Sequence, residues 1–302
     1  IDSIKKIKLQ KKQLLVNEIK RKLSNNNFSD FINKIELLEN KSIVRRNVPD
    51  VENNLNRKTP EYYFYELLRK GIIIDIKDGN LGESHPKRKD FSKKGMPFLT
   101  ANLFNDDYNI EYGNSLKLEE SFYKNIKIGF TIKNDVILTH KGTIGKTAIN
   151  LMDSICSPQT TYYRLNREFI LPKFLMYYFS SSLFQSQLNA VKEQTTRDFV
   201  SISKQYKLKT VLFPIEIQEE IINNIENSFT EVQKTVFEIE KSLKNIYLFR
   251  NKILKMALQG GLSQQYISDS STELLLLEIS KLKEEYIKNQ IEVKKNKLKF
   301  IK

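Results

Sequence analysis

The residues of this chain with the means to do chemistry are few and poorly grouped. The segment GTIGKT at residues 142–147 ends in the Gly-Lys-Thr of a phosphate-cradling loop. Such a loop places four residues between its first glycine and the Gly-Lys pair, and the position this requires, 140, is His. The segment after Thr147 has the character of a strand, whereas a nucleotide loop opens a helix, so residues 142–147 read as a hairpin or glycine turn. Pro49-Asp50 could open a metal-nuclease pattern. Its only downstream Glu-x-Lys is Glu292 to Lys294, in a charged tail that reads as a solvated face. His85, His140 and Cys156 are all the histidine and cysteine present, and their spacing is no metal-ligand spacing. No Ser-His-Asp arrangement follows from spacing either. The chain reads as non-catalytic, with no metal and no cofactor.

A different chemistry is open to three polar, mostly glycine-bearing loops. Residues 79–89, GNLGESHPKRK, carry Asn80, Glu83, His85, Lys87, Arg88 and Lys89. Residues 139–146, THKGTIGK, carry Thr139, His140, Lys141, Thr143 and Lys146. Residues 193–204 offer Gln194, Thr195, Thr196, Arg197 and Lys204. Lys and Arg neutralise phosphates, while Gln and Arg make bidentate contacts to adenine and guanine edges. Any one of these is an ordinary solvated loop. Three of them on one small domain, in a chain of net charge +14, point to double-stranded DNA.

The charge comes from 50 Lys and Arg against 36 Asp and Glu, with a pI near 9.5, which suits a polyanion. A membrane partner is not expected, because the longest apolar runs, such as residues 274–277, are far too short to span a bilayer and no segment resembles a signal peptide. A single cysteine rules out an internal disulfide and fits a reducing, cytoplasmic setting. The chain opens on Ile1, as a piece of a longer protein would.

The elements that must hold these loops are of two kinds, and the expected fold class is α+β. Residues 62–215 read as a mixed domain. Residues 72–76, 98–101, 136–139, 143–150, 160–165 and 208–213 have the β-branched, aromatic character of short strands, and residues 172–191 read as one helix with Pro172 in its first turn. The second kind is a rod over residues 216–262. Ile222, Ile225, Phe229, Val232, Val236, Ile239, Leu243, Ile246, Ile253 and Ala257 keep the three-then-four spacing of a coiled-coil seam, with Arg250 as a cation in one seam slot. From Ile222 to Ala257 such a helix runs roughly 54 Å before Gly260 and Gly261 stop it. One competing reading lays this helix on its own domain's core, but the 3.5-residue period favours a helix partner. Residues 3–23, within an N-terminal helix over 1–27, match residues 242–262 at Ser3, Lys5, Ile7, Leu9, Leu15 and Leu23, which suggests a repeat. Residues 28–61 read as a linker, and 263–302 as a shorter terminal helix with a basic tail.

Several motifs together resemble the specificity subunit of type I restriction-modification enzymes. They are IKDGNLGESHPK (76–87), Gly-x-Pro-Phe (95–98), NDVILTHKGTIGKTA (134–148), PQTTYYR (158–164), Thr-Thr-Arg (195–197), and PIEIQEEI (214–221) with SLKNIYLFRNKILKMALQGGL (242–262) beyond it. The chain departs from the family in lacking Trp before the domain and in having Asn134 where Gly is common. The resemblance implies a target recognition domain that reads half of a split DNA target and a coiled-coil spacer helix. It also implies DNA adenine methyltransferase subunits and a restriction subunit as partners, with a second recognition domain in the same chain or in a homodimer partner. One rival is the recognition region of a fused methyltransferase-endonuclease. Another is a coiled-coil interaction protein whose charge is incidental.

Overall fold

In the computed structural model, residues 2–38, 57–193, 198–262 and 271–299 are described. The chain divides into two compact units, Ile1–Lys234 and Thr235–Lys302. The first is α+β. In order it comprises α1 (Asp2–Asn25), α2 (Ser29–Glu36), β1 (Glu61–Tyr63), α3 (Phe64–Arg69), β2 (Ile73–Asp78), β3 (Phe91–Ser92), β4 (Met96–Leu99), β5 (Leu116–Leu118), α4 (Glu120–Tyr123), β6 (Phe130–Thr131), β7 (Val136–Thr139), β8 (Thr147–Ile149), β9 (Ser154–Cys156) and β10 (Thr160–Leu165). Next come α5 (Pro172–Ser180), α6 (Ser182–Ala190), α7 (Ile202–Tyr206), β11 (Lys209–Val211) and the start of α8 (Ile215–Leu258).

A four-stranded sheet in the order β2-β10-β7-β8, antiparallel throughout, forms the middle layer. It is buried on both faces. Val136, Leu138 and Tyr163 join the main core with α1, α2, α3, α5 and α6, while Ile137 and Tyr162 point the other way into a smaller cluster with Leu99, Phe104 and Cys156. Side chains alternate between faces along a strand, so a strand covered on both sides reads as the unbroken apolar run seen at residues 136–138. The five-stranded sheet β3-β5-β4-β9-β6 has a third cluster of its own, built on Leu81, Phe98, Leu118, Ile126 and Ile155. Asn134 takes φ 74°, a left-handed conformation that Gly and Asn tolerate best.

Three expectations need correcting. Residues 29–36, placed in a linker, form α2, and Phe28 at its N-cap, Ile32 and Ile35 are buried in the main core. There Glu36 pairs with Arg57 (3.0 Å) and Lys70 (3.2 Å), and Arg57 pairs in turn with Glu66, so this buried carboxylate is compensated. The helix expected over 172–191 breaks at Ser181. That residue is extended, and its hydroxyl caps α6 by accepting from the Phe184 N–H. The strand expected over 143–150 is confined to β8, because residues 142–146 form the tip of a hairpin with Gly142 and Gly145 at φ 79° and 88°.

The helix α8 begins as part of the core. Gln218 is fully buried at its base and ties three stretches of chain together: its Oε1 accepts from Leu171 N–H, and its Nε2 donates to the Phe169 and Phe213 carbonyls. Ile221, Ile222 and Ile225 are buried beside it. Here α1 lies along α8 in the opposite direction, with Lys22 and Arg21 on Glu220 and Glu18 accepting from Asn224. In the second unit, α8 and α9 (Thr272–Lys299) expose their large apolar residues, including Phe237, Ile239, Leu243, Ile246, Leu254, Leu275, Ile279 and Leu282. Arg250 is exposed among them. Gly260 at φ 71° ends α8, and the Gly261 N–H closes on the Met256 carbonyl at 2.8 Å.

Candidate nucleic-acid interface

Strand polarity gathers the polar loops. Both β2 and β7 run antiparallel to β10, so they run parallel to each other, and both end beside the start of β10: Asp78 pairs with Thr161, and Thr139 with Thr160. The loops after these two strands leave the sheet at the same end, roughly 10 Å apart across one intervening strand. The third loop arrives there through backbone hydrogen bonds. Gly142 N–H donates to the Asp198 carbonyl (3.0 Å), Val200 N–H donates to the His140 carbonyl (2.9 Å), and Lys141 bridges Phe199.

Within the first loop, Asn80, Glu83, His85, Lys87, Arg88 and Lys89 are all exposed. Asp78 at its root accepts from the Asn80 N–H, and burial raises its carboxyl above the usual range. Gly79 must be glycine, because a Cβ there would meet the Cys156 carbonyl at 1.7 Å. His85 lies edge-on to Phe98 at 6.2 Å, which anchors the loop to the third cluster. Lys87, Arg88 and Lys89 make no ion pair among the described residues. Lys93 and Lys94, exposed on the crossover after β3, bring the cations of residues 87–94 to five against the one carboxylate of Asp90. That local charge density was the available signal for Lys93 and Lys94, which motif spacing passed over.

The hairpin loop divides into presenters and holders. Lys141 and Thr143 are exposed. Thr139 and His140, expected as DNA contacts, are buried, and they hold the loop instead. Thr139 N–H donates to the Lys146 carbonyl, and its Oγ1 accepts from the Lys146 N–H (3.0 Å). His140 is a clamp between three pieces of backbone. Its N–H donates to the Gln159 carbonyl, its carbonyl accepts from Val200, and its ring reaches Pro158 and, at Nδ1, Thr161 Oγ1 at 2.6 Å. Thr161 Oγ1 also accepts from Gln205 Nε2, so imidazole, hydroxyl and carboxamide form one buried hydrogen-bonded chain. Burial first, and then the charge of Lys141, pulls the pKa of His140 down to about 4. The Lys146 ammonium donates to the Phe104 carbonyl (2.9 Å) and lies 3.6 Å from Asp106, so it ties the hairpin down more than it faces outward. Gln185 braces the tip by donating to the Gly145 carbonyl.

In the third loop Lys204 is turned inward, to the Val191 carbonyl and Glu193, both at 3.0 Å. Gln194, Thr195, Thr196 and Arg197, the residues expected to read bases, lie outside the described residues. Two further residues reach this end of the sheet that spacing did not single out. They are Asn102, exposed just after β4, and the half-buried Gln159 in the turn before β10. No sequence signal could have joined them, since Gln159 meets Ala101 across 58 residues of chain.

Solved type I restriction-modification specificity subunits have similar structures. The S subunit from M. genitalium is 17% identical with a TM-score of 0.39, over 70% of this chain and 50% of that one. The HsdS subunit from Thermoanaerobacter tengcongensis is 12% identical with a TM-score of 0.47, over 86% of this chain and 59% of that one. A chain from a study of complex assembly and conformational transition in the type I R-M system has the same identity and coverage, with a TM-score of 0.49. This chain therefore spans about half to three fifths of the length of the solved chains it matches. No family model and no curated protein matches the sequence. Among the described residues, no three His, Cys, Asp or Glu side chains group as a metal site, and no helix is long and apolar enough to cross a membrane.

Proposed function

We propose that the chain is a DNA-reading specificity subunit of a type I restriction-modification system, without an active site of its own. Residues 62–215 act as the target recognition domain for one half of a bipartite target, and residues 216–262 as the spacer. The observation that carries this reading is the convergence, at one end of one sheet, of three loops that the sequence had separately marked as phosphate- and base-binding. Exposed Lys87, Arg88, Lys89 and Lys141 supply the phosphate contacts, and the loop of Gln194 to Arg197 supplies base contacts. The motif resemblance supports the partners: adenine methyltransferase subunits, a restriction subunit, and a second recognition domain, in the same chain or in a homodimer partner. The apolar residues exposed along α8 and α9 give such partners a surface to cover.

Binding of the full chain to random-sequence duplex DNA tests the reading. Neutralised phosphates release counterions, so affinity should fall steeply as salt rises, by roughly a thousandfold between 50 and 200 mM for about six contacts. Affinity that stays flat over that range would leave the coiled-coil interaction protein as the better account.

A further inference from the structure

The turn before β10 holds a side chain that none of the three loops claims. Gln159 sits where the hairpin, the loop after β2 and the segment after β4 meet. Its carbonyl accepts from His140, its own N–H donates to Ser157 Oγ (3.2 Å), and its side-chain Oε1 accepts from the Ala101 N–H at 3.0 Å. That last bond orients the carboxamide. A backbone N–H can only donate, so the oxygen must face Ala101 and the NH2 group must face away. The Nε2 donors have no partner among the described residues, and the side chain is half-buried, so the group is neither a freely rotating surface amide nor a satisfied core one. One residue beyond Ala101, Asn102 has its Oδ1 engaged by the Thr100 hydroxyl at 2.6 Å, which orients an exposed carboxamide on the segment after β4.

We infer that Gln159 is a base-reading residue that works as a donor, at the centre of the interface rather than on its rim. This rests on the DNA reading above and adds the chemistry of one base position. In the major groove, guanine offers the acceptors O6 and N7, adenine offers N7 and thymine offers O4, whereas cytosine offers only a donor. The position facing Gln159 therefore presents an acceptor to the NH2 group, which guanine, adenine and thymine do and cytosine does not.

Selection of duplexes from a random-sequence pool by the full chain, for wild type, Gln159→Glu and Gln159→Ala, tests this. Gln159→Glu keeps an acceptor for the Ala101 N–H, so it keeps the fold, but it turns a carboxylate oxygen where the NH2 stood. At one position of the selected motif, where the wild type disfavours cytosine, the Glu variant should favour cytosine, with at least a tenfold reversal of preference and no change elsewhere. Gln159→Ala should lose preference at that position alone; should it fail to fold, the Glu variant carries the test by itself. Folded variants that select the wild-type motif, even at lower affinity, overturn the role of Gln159 and leave the DNA reading standing. Failure of the wild type to select any motif, with salt-independent binding, overturns the DNA reading and this inference with it.

Discussion

His140 shows how a residue type that suggests contact chemistry can do structural work. It is buried beside the Lys141 charge, so protonation would put a charge on a desolvated ring. The folded-state pKa of about 4 lies below the ordinary 6.5, so the unfolded chain takes up the proton first and stability falls as pH drops through this window. By pH 5 the loss from this residue should reach about 2 kcal/mol, and above pH 7 it should vanish. Asn at 140 can hydrogen-bond to Thr161 in place of Nδ1 without titrating. The His140→Asn protein should therefore lose about 2 kcal/mol less than wild type between pH 7 and 5 in chemical denaturation; equal losses would place the ring in water. Lys141, next in sequence, is exposed, and in the DNA reading it touches a phosphate. Lys141→Ala should weaken binding to all duplexes alike and lower the salt slope by about 1. A change at a single base would move Lys141 from the backbone to the base edges.

Among the elements, α8 has one sequence pattern and two environments. Its seam residues Ile222 and Ile225 are 7% and 2% exposed, whereas Ile239 is 53% exposed and Leu243 55%. A large-to-small change in a packed site costs transfer free energy and leaves a cavity, so Ile225→Ala should destabilise the chain by about 2–4 kcal/mol. Ile239→Ala in the same free chain should cost less than about 0.5 kcal/mol, beyond the small effect of helix propensity. Urea denaturation of both variants at low protein concentration makes the comparison. A large loss at Ile239 that grows with protein concentration would show that the outer face of α8 is already covered by another copy in solution.

At the scale of the whole molecule, the proposed function makes the spacer a ruler. If two recognition domains sit at opposite ends of a helix pair, helix length sets the gap between the half-targets. Seven residues inserted between Val232 and Leu243, with seven in the partner helix, keep the seam in register and add roughly 10.5 Å. At about 3.4 Å per base pair the unspecified gap should widen by about three base pairs, with each half-target unchanged. Mapping methylated sites in cells that carry the lengthened protein and its methyltransferase partners reads the gap directly. An active complex with an unmoved gap would show that the rod does not measure DNA.

Local properties are legible in the sequence by itself. The runs at residues 136–139 and 160–165 announce strands because β-branched and aromatic side chains suit a pleated, buried surface, and β7 and β10 lie there. The seam announces a long helix, since a 3.5-residue apolar period has no other regular use, and α8 runs from Ile215 to Leu258. The glycines of residues 142–147 exclude a nucleotide loop by spacing alone. Only the tertiary structure decides what depends on residues far apart in the chain. The pairing of β2 and β7 with one central strand brings loops some 60 residues apart to one end of the sheet. The covering of that sheet on both faces buries Thr139 and His140 while leaving Lys141 in water. Ser181 breaks a helix that composition would have continued, because its hydroxyl caps the next one. The Ala101 N–H selects which end of Gln159 faces outward. Propensity and periodicity act within a few residues, whereas burial, strand register and hydrogen-bond partner are properties of the packed chain, so elements can be read in order but a site has to be assembled.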